Sequence, residues 1–256
     1  MDFNESQISG AIVDAYYNKF RFALQSDVVI VGAGPSGLVA AWKLASAGRR
    51  VVILEKRLSP GGGIWGGSCG MNEAAVQPAA LPLLEEAKVS CRPRDNLYTV
   101  DAAELACALC LKAVQAGAKL LNLMAAEDLC VHDNKVDGVV ANRTLIGETL
   151  PVDPVVFTTK AVIDATGHEA SVINCLTRRS GLENVPDTPL GEGIMNATEG
   201  ERFVVKHVRE VFPGLWVTGM SVCATAGGPR MGPIFGGMLL SGARVAEMIN
   251  AKLAPD

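Results

Sequence analysis

A short apolar run, Asp27-Val-Val-Ile-Val31, leads straight into Gly32-Ala-Gly-Pro-Ser-Gly37, and a helix-forming stretch continues to Gly48. A second apolar run, Arg50-Val-Val-Ile-Leu54, then ends at Glu55. This order reads as strand, glycine turn, helix and strand, which commits the chain to an α/β fold with a parallel sheet. G-x-G-x-x-G alone is weak evidence, but the flanking strand, helix and terminal acidic residue supply the context of a dinucleotide site. Gly32 makes the turn, Gly34 lets a pyrophosphate approach, and Gly37 allows close packing of helix on strand. The helix N-terminus offers free N–H groups and positive potential to phosphate. Glu55 is placed to accept hydrogen bonds from the adenosine ribose. Its charge repels a 2′-phosphate, which favours NAD or FAD over NADP.

The length of 256 residues suits one large α/β domain. We expect a single domain over 1–256, with an N-terminal helix in 1–26 and a dinucleotide-binding core in 27–256. Ile8, Ile12, Tyr16 and Phe20 fall at i, i+4 spacing and predict one helical stripe, docked on the core or on a neighbouring subunit. A net charge of −4 without a basic cluster argues against nucleic acid as a partner. No apolar run approaches the roughly 18 residues of a membrane helix. The start, Met1-Asp-Phe-Asn-Glu-Ser6, lacks the basic and apolar regions of a secretory signal, so a cytoplasmic protein is expected. The seven cysteines are odd in number and scattered, which argues against a disulfide framework. Cys107 and Cys110 form a C-x-x-C inside Asp101-Ala-Ala-Glu-Leu-Ala-Cys-Ala-Leu-Cys-Leu-Lys-Ala-Val114. Mid-helix thiols lack the helix N-terminus that activates thioredoxin-like pairs, so they read as small core residues.

A second glycine cluster, Pro60-Gly-Gly-Gly-Ile-Trp-Gly-Gly67, follows the ribose-binding carboxylate and reads as a ligand-covering loop, not as helix or strand. A helix is predicted over 102–116, and strands over 119–123, 136–141 and 155–157. Lys160-Ala-Val-Ile-Asp-Ala-Thr-Gly-His168 reads as a buried strand ending in a tight turn, and Leu215-Trp-Val-Thr-Gly-Met220 as a strand leading into a loop. The turn-rich stretch between Gly181 and Gly200 reads as a mobile loop. This order resembles the two-dinucleotide-binding flavoproteins. The expected class is therefore a Rossmann-like, flavoprotein-type (glutathione-reductase-like) fold with inserted β-strands. In those proteins the late strand ends Gly-Asp, and the aspartate holds the flavin ribityl chain. Here the dipeptide is Gly219-Met220, which argues against a flavin.

Chemistry-bearing residues are few. His132 lies in a polar turn, and His207 lies among valines on a helix or strand face. His168 stands at the C-terminal end of a strand, where open α/β sheets bind ligands, and its imidazole suits a metal or a proton. Asp153 lies in Leu150-Pro-Val-Asp-Pro154, held extended by the flanking prolines. A carboxylate and an imidazole together suit a divalent transition metal with open positions. Gly228-Pro-Arg-Met-Gly-Pro-Ile-Phe-Gly-Gly-Met-Leu-Leu-Ser-Gly242 puts Arg230 in a glycine- and proline-rich loop ahead of an apolar run. A guanidinium there is able to grip a small carboxylate through two parallel hydrogen bonds.

Val31-Gly-Ala-Gly-Pro-Ser-Gly37, the glycines at 61–63, Val100-Asp-Ala-Ala-Glu-Leu105, Val152-Asp-Pro154, Asp164-Ala-Thr-Gly-His168 and Pro229-Arg-Met-Gly-Pro-Ile-Phe-Gly236 span nearly the whole chain. Together they resemble the thiamine thiazole synthase family. The resemblance implies that NAD is consumed as a substrate: nicotinamide leaves, glycine condenses with the exposed carbonyl, sulfur is added, and an ADP-thiazole carboxylate forms. It implies that Gly32, Gly34, Ser36, Gly37, Glu55, Lys56, Gly63, Ala126, Pro151, Val152, Asp153 and Met220 hold the nucleotide, and that Arg230 grips glycine. Asp153 and His168 match the family's ligands for Fe(II) or another divalent transition metal, drawn from neighbouring subunits of a homo-octamer.

Members that donate sulfur from their own chain carry a cysteine two residues before this aspartate, and archaeal members carry a histidine there and use sulfide. This chain has Pro151, and no cysteine occurs between Cys130 and Cys175. The expectation is a sulfide-dependent, multiple-turnover enzyme. The alternatives are a flavin-dependent oxidoreductase, an NAD-binding homologue that has lost the chemistry, and a sugar-phosphate isomerase on the same scaffold.

Overall fold

The computed structural model describes residues 2–144, 152–179, 182, 185 and 190–254. Helix α1 (Glu5–Ala23) opens with a capping box. The Asn4 side chain accepts the Gln7 N–H at 3.0 Å, and the Gln7 side chain accepts the Asn4 N–H at 2.9 Å. Its predicted stripe splits in two. Tyr16 and Phe20 pack on the core, with Phe20 edge-on to Phe157 at 5.6 Å, while Ile8 and Ile12 are exposed.

Strand β1 (Val28–Val31), helix α2 (Pro35–Ser46) and strand β2 (Val51–Glu55) form the expected unit, with β1 and β2 parallel from Val28↔Val51 to Val31↔Leu54. β3 (Glu73–Val76), α3 (Leu81–Ala87), β4 (Arg92–Arg94) and β5 (Leu97–Asp101) follow. Next come α4 (Ala102–Gln115), β6 (Lys119–Asn122), β7 (Met124–His132), β8 (Lys135–Arg143), β9 (Val155–Thr158), β10 (Ala161–Asp164) and α5 (Ser171–Thr177). The chain closes with α6 (Ala197–Lys206), β11 (Arg209–Phe212), β12 (Leu215–Val217), α7 (Met220–Ala226) and α8 (Gly236–Lys252).

The main sheet has the order β11-β12-β10-β1-β2-β6, and all its neighbours run parallel except β11. β1 and β10 are buried at every position, as strands covered on both faces must be. Two antiparallel three-stranded sheets, β3-β5-β4 and β7-β8-β9, are inserted between β2 and β10. This is a Rossmann-like, flavoprotein-type dinucleotide-binding fold with inserted strands. Helix α2 backs onto α8 so closely that a Cβ on Gly242 would meet the Ser36 carbonyl oxygen at 2.3 Å. The C-terminal helix therefore braces the helix that starts at the glycine turn.

Several details depart from the sequence reading. The second glycine cluster contains a 3₁₀ turn, Gly62–Gly66. Met220 begins a helix, not a loop, because Gly219 turns the chain at φ 64°. Helix Ala197–Lys206 begins inside the stretch read as loop and runs past its end; Asn196 caps it by accepting the Glu199 N–H at 3.2 Å. Most of 181–189 lies outside the described residues. Cys107 is exposed, so the core reading of the C-x-x-C fails for it; only Cys110 turns partly inward. Strands β3, β4 and β5 carry too little apolar alternation to be read beforehand. All seven cysteines are free. Among the described residues, no helix is long and apolar enough to cross a membrane.

Candidate active site

A cavity of about 380 Å³ opens at the C-terminal ends of β1, β2 and β10. That is the crevice where sheets of this kind bind nucleotides, and the volume suits a small ligand. Gly32, Gly34, Ser36, Glu55, Lys56, Gly63, Ala126, His168 and Met220 all line it.

The glycine turn is built as its spacing predicts. Gly32 has φ 102°, and a Cβ there would meet the Ala165 carbonyl oxygen at 2.5 Å. Gly37 packs so tightly on the turn that a Cβ would lie 2.2 Å from the Gly32 oxygen. Nothing stands within 4 Å of a Cβ on Gly34, which leaves that backbone open to a ligand. The second glycine cluster is tied to the first: Gly61 N–H donates to the Ala33 carbonyl at 2.7 Å. Glu55 is 5 % exposed, and its two oxygens accept the Ala33 and Arg57 N–H groups at 2.8 Å each. A carboxylate accepts about four hydrogen bonds, so each oxygen keeps capacity for a ribose hydroxyl. Lys56 pairs with Glu169 at 2.8 Å, and that hydrogen bond holds the Glu169 carboxyl below its ordinary range.

The A-T-G-H turn hangs on a buried carboxylate that sequence reading passed over. Asp164 accepts hydrogen bonds from Thr166 N–H at 2.9 Å, Thr166 Oγ1 at 2.7 Å and Ser221 Oγ at 2.9 Å. Its other oxygen accepts the Val172 and Ile173 N–H groups at 3.1 Å each, at the start of α5. One side chain thus fixes β10, the turn, α5 and α7 together. Gly167, at φ 83°, then turns the chain so that His168 projects outward, 62 % exposed.

His168 meets a residue that the sequence reading missed. Its Nδ1 lies 2.5 Å from Glu192 Oε1, and Glu192 Oε2 lies 3.3 Å from Arg230 Nε. Glu192 is 12 % exposed, whereas Arg230 is 54 % exposed. Its backbone is stitched beside the Arg230 loop: Gly193 N–H donates to the Gly228 carbonyl at 2.8 Å and Asn196 N–H to the Arg230 carbonyl at 3.0 Å. The available signal was an acidic residue between two glycines, Gly191-Glu-Gly193, in a stretch read only as loop. Behind that loop, buried Glu201 accepts the Gly237 N–H at 2.7 Å at the start of α8, and burial pushes its carboxyl up.

Asp153 and Val152 do not line the cavity. Both are exposed on the extended approach to β9, an edge strand of its sheet, where Pro154 withholds an N–H from pairing. Pro151 lies outside the described residues. Among the described residues, no three His, Cys, Asp or Glu side chains of one chain gather as a metal site. His168 nevertheless fits as one ligand of a shared metal. Glu192 occupies Nδ1 and leaves Nε2 free, the arrangement in which a carboxylate orients a metal-binding imidazole. The exposed Asp153 carboxylate is a donor of the right type to complete such a site from another chain.

A family model described as the Thi4 family matches residues 9–235. Thiamine thiazole synthase of Thermococcus kodakarensis is 51% identical over 251 residues, covering 97% of this chain and 98% of that protein. The chain belongs to the thiamine thiazole synthase (Thi4) family. The family's Thermotoga maritima member is 43% identical over 254 residues, covering 99% of this chain and 100% of that one. The crystal structure of Thermovibrio ammonificans THI4 superposes with a TM-score of 0.94 at 46% identity, covering 99% of each chain.

Proposed function

We propose that this thiamine thiazole synthase family member makes an ADP-thiazole carboxylate from NAD, glycine and sulfide, over many turnovers. The observation that supports this reading most is that Glu55 and His168 line one cavity. A nucleotide held at Glu55 thus extends toward the reactive side chains.

In this reading Glu55 accepts the adenosine ribose hydroxyls, and the start of α2, opened by Gly34, receives the pyrophosphate. Ser36, Lys56, Gly63, Ala126 and Met220 close around the nucleotide. Met220 offers no carboxylate for a flavin ribityl chain, which disfavours the oxidoreductase alternative. Once nicotinamide has left, the opened ribose presents a carbonyl for the glycine amine. Arg230 grips the glycine carboxylate; Glu192 takes its Nε and leaves the two terminal nitrogens for a bidentate pair. His168 and Asp153 of the partner subunit would hold Fe(II) or another divalent transition metal. That ion, when bound, supplies Lewis acidity and lowers the pKa of coordinated S–H. A homo-oligomer with shared sites, an octamer in the family's pattern, follows from that division of ligands.

The lack of a cysteine between Cys130 and Cys175, beside Asp153, supports an external sulfur source. Burial pushes the Cys223 thiol up to about 12, with Glu192 adding to the shift, so it stays protonated at neutral pH. Burial also raises the Cys175 thiol. The test is anaerobic incubation with NAD, glycine, sulfide and Fe(II), followed by mass analysis. We expect more than one equivalent of adenylated thiazole per chain, with the mass of the chain unchanged. NAD binding without nicotinamide release would leave the chain a nucleotide-binding homologue; product capped at one equivalent, with sulfur lost from the chain, would restore an internal donor.

A further inference from the structure

We infer that Glu192 is a positioning residue whose single carboxylate sets both His168 and Arg230 for the proposed reaction. The inference rests on the reading above, in which His168 binds metal and Arg230 binds glycine. Three observations carry it. Glu192 uses its two oxygens on two different partners, His168 Nδ1 at 2.5 Å and Arg230 Nε at 3.3 Å. It is the least exposed member of the trio, at 12 % exposure, while its partners reach toward solvent. Its backbone is anchored on both sides, with Gly191 N–H donating to the Ala224 carbonyl at 3.0 Å and Gly193 N–H to the Gly228 carbonyl at 2.8 Å.

The geometry leaves the useful faces free. With Nδ1 donating to Glu192, His168 presents Nε2 as the electron-pair donor. With its Nε edge ion-paired to Glu192, Arg230 presents its terminal pair to a carboxylate. Among the described residues, neither exposed side chain has another hydrogen-bond or ion-pair partner to hold it. Loss of Glu192 therefore releases both at once, although neither residue itself changes. Glutamine at 192 is a sharp probe, because an amide has one acceptor oxygen where two donors now need one each. Aspartate keeps both acceptors and the charge but sits one methylene short.

The experiment uses the full-length protein, with Co(II) titrated alone by its absorbance and glycine KM and kcat measured separately. For Glu192→Gln we expect Co(II) affinity to fall about tenfold or more, the usual effect of removing a carboxylate behind a metal-binding imidazole. We expect glycine KM to rise in the same variant while ADP-ribose affinity stays within about twofold, since Glu55 and the glycine turn are untouched. Glu192→Asp should recover part of both losses. Unchanged Co(II) affinity, or a shift in one readout alone, would overturn the assignment. A wild-type protein that binds neither Co(II) nor glycine would instead sink the underlying functional reading. That outcome shows in the wild-type arm and is distinct from a failure of Glu192.

Discussion

At the nucleotide end of the cavity, Glu55 is 5 % exposed and each oxygen accepts a backbone N–H. At the proposed reactive end, His168 is 62 % exposed and shares one carboxylate with Arg230, which is 54 % exposed and lies off the cavity lining. Much of the first end comes from residues 32–63, contiguous β–turn–α–β structure, with Ala126 and Met220 also lining the cavity. The second draws on three separated loops, and its proposed metal partner Asp153 lies off the cavity. The contrast teaches a division of labour. In the proposed reading, binding falls to the buried glycine turn and Glu55, and chemistry to outward-facing side chains.

The comparison breaks most sharply if the two ends prove inseparable. His168→Ala should lower thiazole formation by more than about a hundredfold, beyond what loss of a supporting residue costs, with ADP-ribose affinity nearly unchanged. Asp153→Ala should behave alike. Turnover retained in either, with metal and sulfide supplied, would remove the metal assignment. Glu55→Ala should act in the opposite sense. ADP-ribose binding should weaken about tenfold to a hundredfold, the worth of hydrogen bonds to a charged group, while Co(II) affinity holds. Calorimetry of both ligands in both variants tests the separation directly.

Arg230→Lys sharpens the reactive end. Lysine keeps the charge and loses the planar fork, so glycine KM should rise about tenfold while NAD binding is spared. An unchanged KM would show that Arg230 does not meet the carboxylate. The smallest effect belongs to a control at the far end of β1. Burial raises the Asp27 carboxyl, but hydrogen bonds from Lys160, at 2.8 Å, and from Arg50 N–H hold it below its ordinary value on balance. A lowered carboxylate stabilises the fold above its unfolded pKa, and that contribution is lost as pH falls through the folded value. Lys160→Met should therefore cost less than about 1 kcal/mol at neutral pH, the pair being partly exposed. The difference from wild type should vanish on acidification, with activity unchanged. Denaturant melts at two pH values are enough to check it.

The legible part of the site was the local part. Gly32, Gly34, Gly37 and Glu55 follow from a motif whose members lie on one continuous β–turn–α–β segment, so sequence distance stands in for spatial distance. His168 and Arg230 were legible as types, an imidazole at a strand end and a guanidinium in a glycine loop. Glu192 was not, because its role comes from contacts 24 and 38 residues away along the chain. Asp164 was passed over for the same reason: its partners lie on α5 and α7 as well as in its own turn. Strands β3 to β5 were missed because they are short and mix polar with apolar residues, and β4 is exposed at every position.

By itself the sequence determined the α/β class, the glycine turn, the carboxylate that ends β2 and the lack of a cysteine beside Asp153. These depend on local backbone geometry and on residue identity. Only the tertiary structure decided that Asp164 would pin the A-T-G-H turn, that Cys223 would be buried into a protonated thiol, and that Glu192 would stand between His168 and Arg230. Those outcomes depend on which surfaces are brought together and dried by packing, a property of the folded chain that no short stretch of it encodes.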